Sequence, residues 1–372
     1  MTADINRARS ALALIFTGDA LSMPVHWFYR RGDILKYFPP AGITRFEAAP
    51  DQHPGAIMAL HSTGRGGRGA QSPEQAVVGN LILKDKAALW NQRGVHYHHG
   101  MPAGENTLNA WCARWMINWL AGHDIKQFSV EQWLEHYVAQ MTAEPATHPD
   151  TYAESYHREF FANVRQGKPL LQCGGYTHDT PSMGALVTVA PLALAMLPST
   201  PLHEVQSACR DLVYATHPDD MLMKVVDSYV QLMSRLLNPQ GDDPQDFFIE
   251  AASVVPGGDI RRFLAAVDDD DAPILKRVSE DSEVIGNTYS PACYITDSWP
   301  GVCYLAARYY RSPETALLVN TNLGGENAHR GSVLGTLVGL TSGEQTGFCR
   351  SLYRHESIAN DIEVWCDRFY GD

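Results

Sequence analysis

Residues 316–343 read ALLVNTNLGGENAHRGSVLGTLVGLTSG, and this stretch decides the fold. Its second half has a helical apolar pattern in which Gly331, Gly335 and Gly339 recur at every fourth position. Because residues four apart lie on one face of a helix, that face carries no side chains, and another helix must lie close against it. We therefore predict a buried central helix that begins at the loop GGENAHRG. A loop anchored on a rigid buried helix is a suitable place for a functional site.

The tripeptide GEN in this loop occurs a second time. The other copy occupies residues 104–106 within MPAGENTLNAWCARWM, again just before a run with a helical pattern. Glycine before an acidic residue lets the backbone and the carboxylate approach a ligand closely. Glu and Asn at a helix start also act as N-terminal caps, so two unrelated caps are the alternative interpretation. Our hypothesis is that the two copies face each other across one polar site.

Composition narrows the class of protein. The chain has 372 residues, of which 45% are hydrophobic and 19% charged, and its net charge of −13 argues against nucleic acid as a partner. The seven cysteines are odd in number and never spaced as C-x-x-C, which is typical of reduced thiols in a cytoplasmic protein. No apolar run approaches the ~20 residues of a membrane span, so we expect no membrane partner. The oligomeric state is left open.

Hydrophobic periodicity predicts an all-α protein that forms a single compact multi-helix domain over residues 1–372. The first helix, at 5–17, is expected to end at Gly18 and Asp19. Residues 31–103 are rich in Gly, Pro and His, and we interpret them as an irregular, loop-rich insertion with one helix around 75–90. Further helices are predicted at 107–121, 129–141, 152–166, 185–197, 202–215, 219–237, 244–253, 272–282, 298–310, 312–322, 332–343 and 356–369.

Several polar positions outside the GEN segments are site candidates. Asp19 either caps a helical turn or supports a site. Arg65 and Arg68 in GRGGRG are suited to grip a diphosphate or another anion, since glycine frees backbone amides and arginine makes bidentate contacts; a flexible loop is the alternative. The HYHH segment at 96–99 is either a loose metal cluster or a solvated or substrate-lining loop.

Four segments together resemble the motifs of a known family. They are GDALSMPVHW at 18–27, SMGALVTVAPLAL at 182–194, ATHPDD at 215–220 and the stretch at 316–343. Their order and spacing resemble the ADP-ribosylglycohydrolase family, which includes the dinitrogenase reductase activating glycohydrolases and a lens J1-crystallin. The resemblance covers about residues 8–345. It implies an all-α fold and hydrolysis of the bond between the anomeric carbon of ADP-ribose and a protein side chain.

The resemblance also implies two magnesium ions that hold the ribose hydroxyls. Their ligands come from a Ser/Thr-Asp-Asp-Thr segment, which corresponds to GENT at 104–107, and a later Gly-Gly-Asp-Thr-Asp-Thr segment, which corresponds to GGENAH at 324–329. The four family aspartates are thus replaced by Glu105, Asn106, Glu326 and Ala328, and His26 stands where the family often has an acidic residue. Two carboxylates are too few to neutralise two magnesium ions, so we do not expect two.

Three interpretations of this altered site stay open. In the first, Glu105, Asn106, Glu326 and His329 hold one divalent metal ion, Mg, Mn or Zn, with the imidazole favouring a transition metal. In the second, the two glutamates work without metal as an acid and base pair, as in glycosidases. In the third, the site binds a ligand and has lost catalysis.

We expect an enzyme that hydrolyses an N- or O-glycosidic bond of a ribosyl or ADP-ribosyl-type small molecule. Glu105, Glu326 and His329 would act as catalytic or ligand groups, and Asp19 would support them. The alternative is a non-catalytic ligand-binding or structural member of the same fold. The expected substrate-binding residues are Asn106, Asn327, Thr107, Arg65, Arg68, His178, Asp179, Ser182 and Gly184.

Overall fold

The computed structural model of the chain describes residues 4–58, 77–90, 92–177, 179–264 and 272–371. These residues form sixteen α-helices joined by turns and short 3₁₀ segments, and extended pairing among them is limited to isolated bridges. The all-α prediction is confirmed. The helices are α1 Ile5–Ser22, α2 Arg31–Tyr37, α3 Ala87–Trp90, α4 Leu108–Ala121, α5 Val130–Thr142, α6 Ser155–Arg165, α7 Val189–Met196, α8 Leu202–Tyr214, α9 Asp220–Leu237, α10 Pro244–Ala252, α11 Arg261–Leu264, α12 Ile274–Asp281, α13 Ile295–Tyr309, α14 Pro313–Leu323, α15 Asn327–Ser342 and α16 His355–Tyr370.

Most predicted helix bounds agree with the structure to within a few residues. The segment expected to be irregular also contains α2, and α15 begins at Asn327, inside the predicted loop, where the sequence analysis placed its start at residue 332. Two further predictions were wrong. Helix α1 does not end at Gly18 and Asp19; it continues to Ser22, because Gly18 there serves close packing against another helix. Of the helix predicted at 75–90, only α3 is helical in the described part, since Gly79 adopts a φ of +88° that interrupts a right-handed helix.

The glycine face of α15 packs directly on the backbone of α1. A Cβ atom on Gly335 would lie 2.1 Å from the carbonyl oxygen of Leu14, and one on Gly18 would lie 2.2 Å from that of Gly331. A Cβ on Gly339 would meet the α1 backbone at 2.7 Å. The predicted close helix is therefore α1, and both helices lie within the core. The last thirteen residues of α1 and the first fourteen residues of α15 are buried.

The site lies where the ends of several core elements meet. The buried hydrophobic residues described form one cluster that extends from Ala8 to Cys366. The last turns of α1, the first turns of α4 and α15, and the loops around 23–30 and 94–107 converge at one end of this cluster. None of the helices in the described ranges is long and apolar enough to span a membrane. All seven cysteines are buried and free.

We predict that Gly335→Ala lowers the free energy of unfolding by about 3 kcal/mol, because its methyl group forces α1 and α15 apart. Urea denaturation followed by circular dichroism measures the change. The matched control is Gly32→Ala in α2, where a Cβ meets nothing within 4 Å; we expect it to be neutral or stabilising by up to ~1 kcal/mol. Equal effects of the two substitutions would contradict the close packing.

Candidate functional site

Two glycines shape the loop that carries Glu326. Gly324 and Gly325 have φ values of +71° and +66°, and a Cβ on Gly325 would lie 2.2 Å from the carbonyl oxygen of Pro291. The Trp27 amide donates to the Gly325 carbonyl at 2.8 Å, and the Gly325 amide donates to the Phe28 carbonyl at 2.9 Å. These two backbone hydrogen bonds hold the loop against the segment that follows α1.

This arrangement brings three buried polar side chains together. Glu326 Oε1 lies 3.0 Å from His26 Nε2 and 2.6 Å from His329 Nδ1. One ligand atom from each of the three lies within 4.8 Å of the other two, and all three side chains are buried. The second carboxylate oxygen, Oε2, accepts a hydrogen bond from the indole of Trp27. We call His26, Glu326 and His329 the central group.

A chain of hydrogen bonds orients His26. Its Nδ1 lies 2.8 Å from His98 Nε2, and His98 Nδ1 lies 2.8 Å from Asp150 Oδ1. Asp150 is fixed in turn, because its Oδ2 accepts from the Leu108 amide at 2.7 Å and its Oδ1 from the Thr151 amide at 2.7 Å. A histidine backed by a further histidine and a carboxylate has a defined ring orientation and tautomer.

A second carboxylate flanks the group on its other side. Glu154 Oε2 lies 3.7 Å from His329 Nδ1 and accepts from Asn109 Nδ2 at 2.9 Å. Gly184 leaves room for this contact: a Cβ there would lie 2.7 Å from Asn109 Nδ2, 3.1 Å from Glu154 Oε2 and 3.2 Å from His329 Nδ1. The absence of a side chain at Gly184 therefore lets Asn109, Glu154 and His329 approach one another closely.

Burial and charge set the ionisation of these groups. Burial lowers the pKa of His26 to about 3, so its imidazole is neutral. Burial alone would raise the pKa of Glu326, but the charge of His329 holds it well below its ordinary value. Burial opposes a charge on His329, yet the charges of Glu326 and Glu154 raise its pKa to about 9. Burial raises the pKa of Glu154 to about 7 against the opposing charge of His329.

The first GEN segment contacts α1 through Asp19. Asp19 is fully buried and accepts hydrogen bonds from Asn106 Nδ2 at 2.8 Å, from the Thr107 amide at 2.8 Å and from Thr107 Oγ1 at 2.5 Å. Glu105 is held elsewhere: its Oε2 accepts from Arg354 Nε at 2.9 Å. Glu105 is therefore outside the central group, in which His26 supplies the third ligand atom.

The other expected site residues have varied surroundings. Asn327 Nδ2 donates to the Thr321 carbonyl at 2.8 Å, so this amide supports the loop from within. Asp179 Oδ2 accepts from Ser155 Oγ at 2.6 Å, and Ser182 is fully buried. Arg65, Arg68 and His178 lie outside the described residues. The roles assigned to all of these positions stay predictions.

A cavity of about 320 Å³ lies beside the central group, a volume in the usual range for small-molecule sites. Trp27 and Glu154 form the wall between the cavity and the buried side chains, since each contacts a member of the group. The described residues that line it are Trp27, Tyr29, Gly55, Ile57, Tyr97, Tyr152, Glu154, Asp179, Ala292, Cys293 and Tyr294.

Comparison with known proteins identifies the family. The sequence profile of the ADP-ribosylglycohydrolase family matches residues 1–346. The chain belongs to the ADP-ribosylglycohydrolase family. A solved structure described as an "ADP-ribosylglycohydrolase-related protein complex" superposes with a TM-score of 0.58 at 17% identity over 98% of each chain, which supports the fold alone. No curated protein sequence matches the chain.

Membership of the ADP-ribosylglycohydrolase family makes the altered ligands informative. The residues present do not fit two magnesium ions, because the central group offers one carboxylate and two imidazoles and magnesium prefers oxygen ligands in octahedral geometry. They do fit one transition-metal ion, for which imidazole and carboxylate are usual ligands. The central group is thus a candidate mononuclear metal centre.

Sequence reasoning missed several residues of this site. It noted His26 only as a departure from the family, and it considered HYHH without connecting His98 to the central group. Asp150, Glu154 and Asn109 were not singled out at all. The available signal was the density of polar residues in HPDTYAESYH at 148–157, just before and within the start of a helix in an otherwise apolar chain.

We predict that Asp19→Ala lowers the free energy of unfolding by about 3 kcal/mol, because it leaves three buried donors in Asn106 and Thr107 without their acceptor. Asp4→Ala is the control in the same helix: Asp4 is an exposed N-cap that accepts from the Asn6 and Arg7 amides, and we expect its loss to cost about 1 kcal/mol. Urea denaturation of both variants distinguishes the values. An Asp19 variant as stable as the Asp4 variant would contradict this linkage.

Proposed function

We propose that this protein hydrolyses a glycosidic bond of a ribosyl-type small molecule, with one divalent transition-metal ion held by His26, Glu326 and His329. The family is hydrolytic, which supports the reaction class. The observation that carries the rest is the central group itself, three ligand atoms within 4.8 Å of one another beside a cavity of small-molecule size. When bound, the metal would act as a Lewis acid and lower the pKa of a water ligand.

The hydrogen-bond pattern supports a cation at the central group. Both contacts of His98 are hydrogen bonds when its Nδ1 donates to Asp150 and its Nε2 accepts from His26 Nδ1. The lone pair of His26 Nε2 then points at Glu326 Oε1, 3.0 Å away. Only a cation or an additional proton makes that contact attractive. A metal ion supplies the charge and leaves His26 neutral, the state that burial favours for it.

The surrounding residues have separate roles in this proposal. Trp27 donates to Glu326 and separates the ligands from bulk water at the cavity wall. His98 and Asp150 hold His26 in one ring orientation. Glu154, beside both the cavity and His329, is placed to accept the proton of an attacking water.

A metal-free pair of carboxylates is the second candidate, with Glu154 in the place that sequence analysis gave to Glu105. Glu154 and Glu326 flank the same His329 nitrogen. Their environments move the two carboxyl pKa values apart, which is typical of an acid and base pair. A cytoplasmic location and the exclusion of nucleic-acid and membrane partners stay predictions from the sequence.

Metal content tests the proposal without requiring a known substrate. We expect the purified protein to retain about one equivalent of a transition metal after dialysis, and Glu326→Gln and His26→Gln to lose it. Elemental analysis measures the content, and thermal denaturation with and without chelator gives an independent readout, because binding to the native state raises Tm.

Glu105→Gln is the matched control for the metal measurement. Glu105 is a buried glutamate in the other GEN copy, held by Arg354, so we expect this variant to keep its metal. If Glu105→Gln alone lost its metal, the result would contradict the central group as the ligand set and support the set expected from the sequence, which includes Glu105. A wild-type protein that binds no added metal would overturn the metal centre and leave the carboxylate pair or a binding-only protein.

A further inference from the structure

Aromatic rings wall the cavity beside the central group. The rings of Trp27, Tyr97 and Tyr152 pack pairwise edge to face, with centroids 4.6, 5.2 and 4.8 Å apart and ring planes at 71°, 79° and 70°. The planes of these three rings are thus nearly perpendicular to one another, and we call this arrangement the perpendicular ring corner. The side chains of Tyr29 and Tyr294, which are exposed, complete the aromatic lining among the described residues. Such aromatic cages are typical binding sites for organic cations.

The charges around this cavity also favour a cation. Glu154 and Asp179 line it, and its described lining residues include no lysine or arginine. Two buried arginines lie nearby. Arg158 donates to the Ala153 carbonyl, and its guanidinium carbon lies 5.6 Å from the centroid of the Tyr152 ring. Arg330 donates to Asn320 Oδ1 at 2.7 Å. Among the described lining residues, a phosphate group would meet two acids and aromatic rings but no lysine or arginine.

We propose that this cavity binds the cationic ring of an N-glycosidic substrate, a ribosyl group attached to a positively charged nitrogen heterocycle of the pyridinium type, without a phosphate. This inference rests on the proposed glycosidic hydrolysis and adds the substrate class. It accounts for two features that the hydrolytic centre does not require, namely the perpendicular ring corner and the carboxylate of Asp179 in the lining.

The chemistry of such a substrate agrees with the site. Water adds through its oxygen to the anomeric carbon as the bond from that carbon to the ring nitrogen breaks, and the bonding electron pair returns to the nitrogen. The cationic ring therefore leaves as a neutral heterocycle and needs no proton from a general acid. One proton of the attacking water passes to Glu154 and then to solvent, so ribose, the neutral base and one proton balance the reaction.

Binding of matched probes tests the cavity separately from catalysis. 1-Methylnicotinamide carries the positive ring, and nicotinamide is its neutral counterpart. We expect the intact protein to bind the cation at least about tenfold more tightly in isothermal titration calorimetry. Asp179→Asn and Tyr152→Leu should each weaken cation binding about tenfold or more. Tyr214→Leu, an exposed tyrosine outside the cavity, should leave it unchanged.

Two further measurements separate this inference from the proposed function. Glu326→Gln should retain cation binding, whereas Asp179→Asn should retain the metal content of the wild type. Because Tyr152 is buried, circular dichroism and Tm establish that its variant is folded, and the isosteric Asp179→Asn gives the result independently. Equal affinity for both probes in the wild type would overturn the cation site even where metal is present.

A phosphate on the ribose tests the remaining part of the inference. We expect nicotinamide riboside to bind at least about tenfold more tightly than its 5′-phosphate, and the wild type to release nicotinamide from the riboside. Tighter binding of the phosphate would overturn the phosphate-free substrate and direct attention to Arg65 and Arg68. A third outcome is a protein that holds no metal, releases no nicotinamide and still prefers the cationic probe. That result would overturn the proposed hydrolysis, whereas the inference that the cavity binds an organic cation would hold.

Discussion

The direct backbone contact between α1 and α15 is the constraint on which the site depends. Gly18 and Gly335 bring the two helix axes closer than any side chain would permit. The end of α1 leads to Asp19, His26 and Trp27, and the start of α15 carries Glu326 and His329. A change in the spacing of the helices would therefore move the histidine of one segment relative to the carboxylate of the other. The interface that packs α1 against α15 therefore also positions the candidate metal ligands.

Burying this much polar surface has a cost that the hydrogen bonds offset. Glu326 is fully buried, and an unpaired carboxylate there would be strongly destabilising. It is instead paired on both oxygens, with His26 and His329 on Oε1 and Trp27 on Oε2. The second line of contacts, through His98 to Asp150, ends on backbone amides. The result is a polar network whose outer members hold its inner members in place, and whose contact between His26 and Glu326 is the one that a bound cation would stabilise.

The sequence predicted the fold better than the site, for a physical reason. Helical periodicity and the spaced glycines are local patterns, so the all-α fold and the presence of a helix close against α15 followed from them, although not which helix it is. The two GEN copies are identical in sequence yet have different partners: Glu105 pairs with Arg354, and Glu326 pairs with His26 and His329. These partners are set by the packing of distant helices. Nothing local to either tripeptide distinguishes the two glutamates.

The resemblance aligns Glu326 with a family aspartate and His329 with a family threonine, and this pair changes the kind of centre that the fold can build. Glutamate and histidine are longer than aspartate and threonine, so two side chains of one loop reach the same point at which His26 arrives from α1. Imidazole nitrogens add affinity for a transition metal without adding negative charge, whereas the family pattern uses four carboxylates to neutralise two ions. One divalent ion with two neutral ligands and one carboxylate keeps a net positive charge, which the neighbouring Glu154 can balance. The fold supplies the scaffold, and the chemistry follows from the atoms that its helix ends bring together.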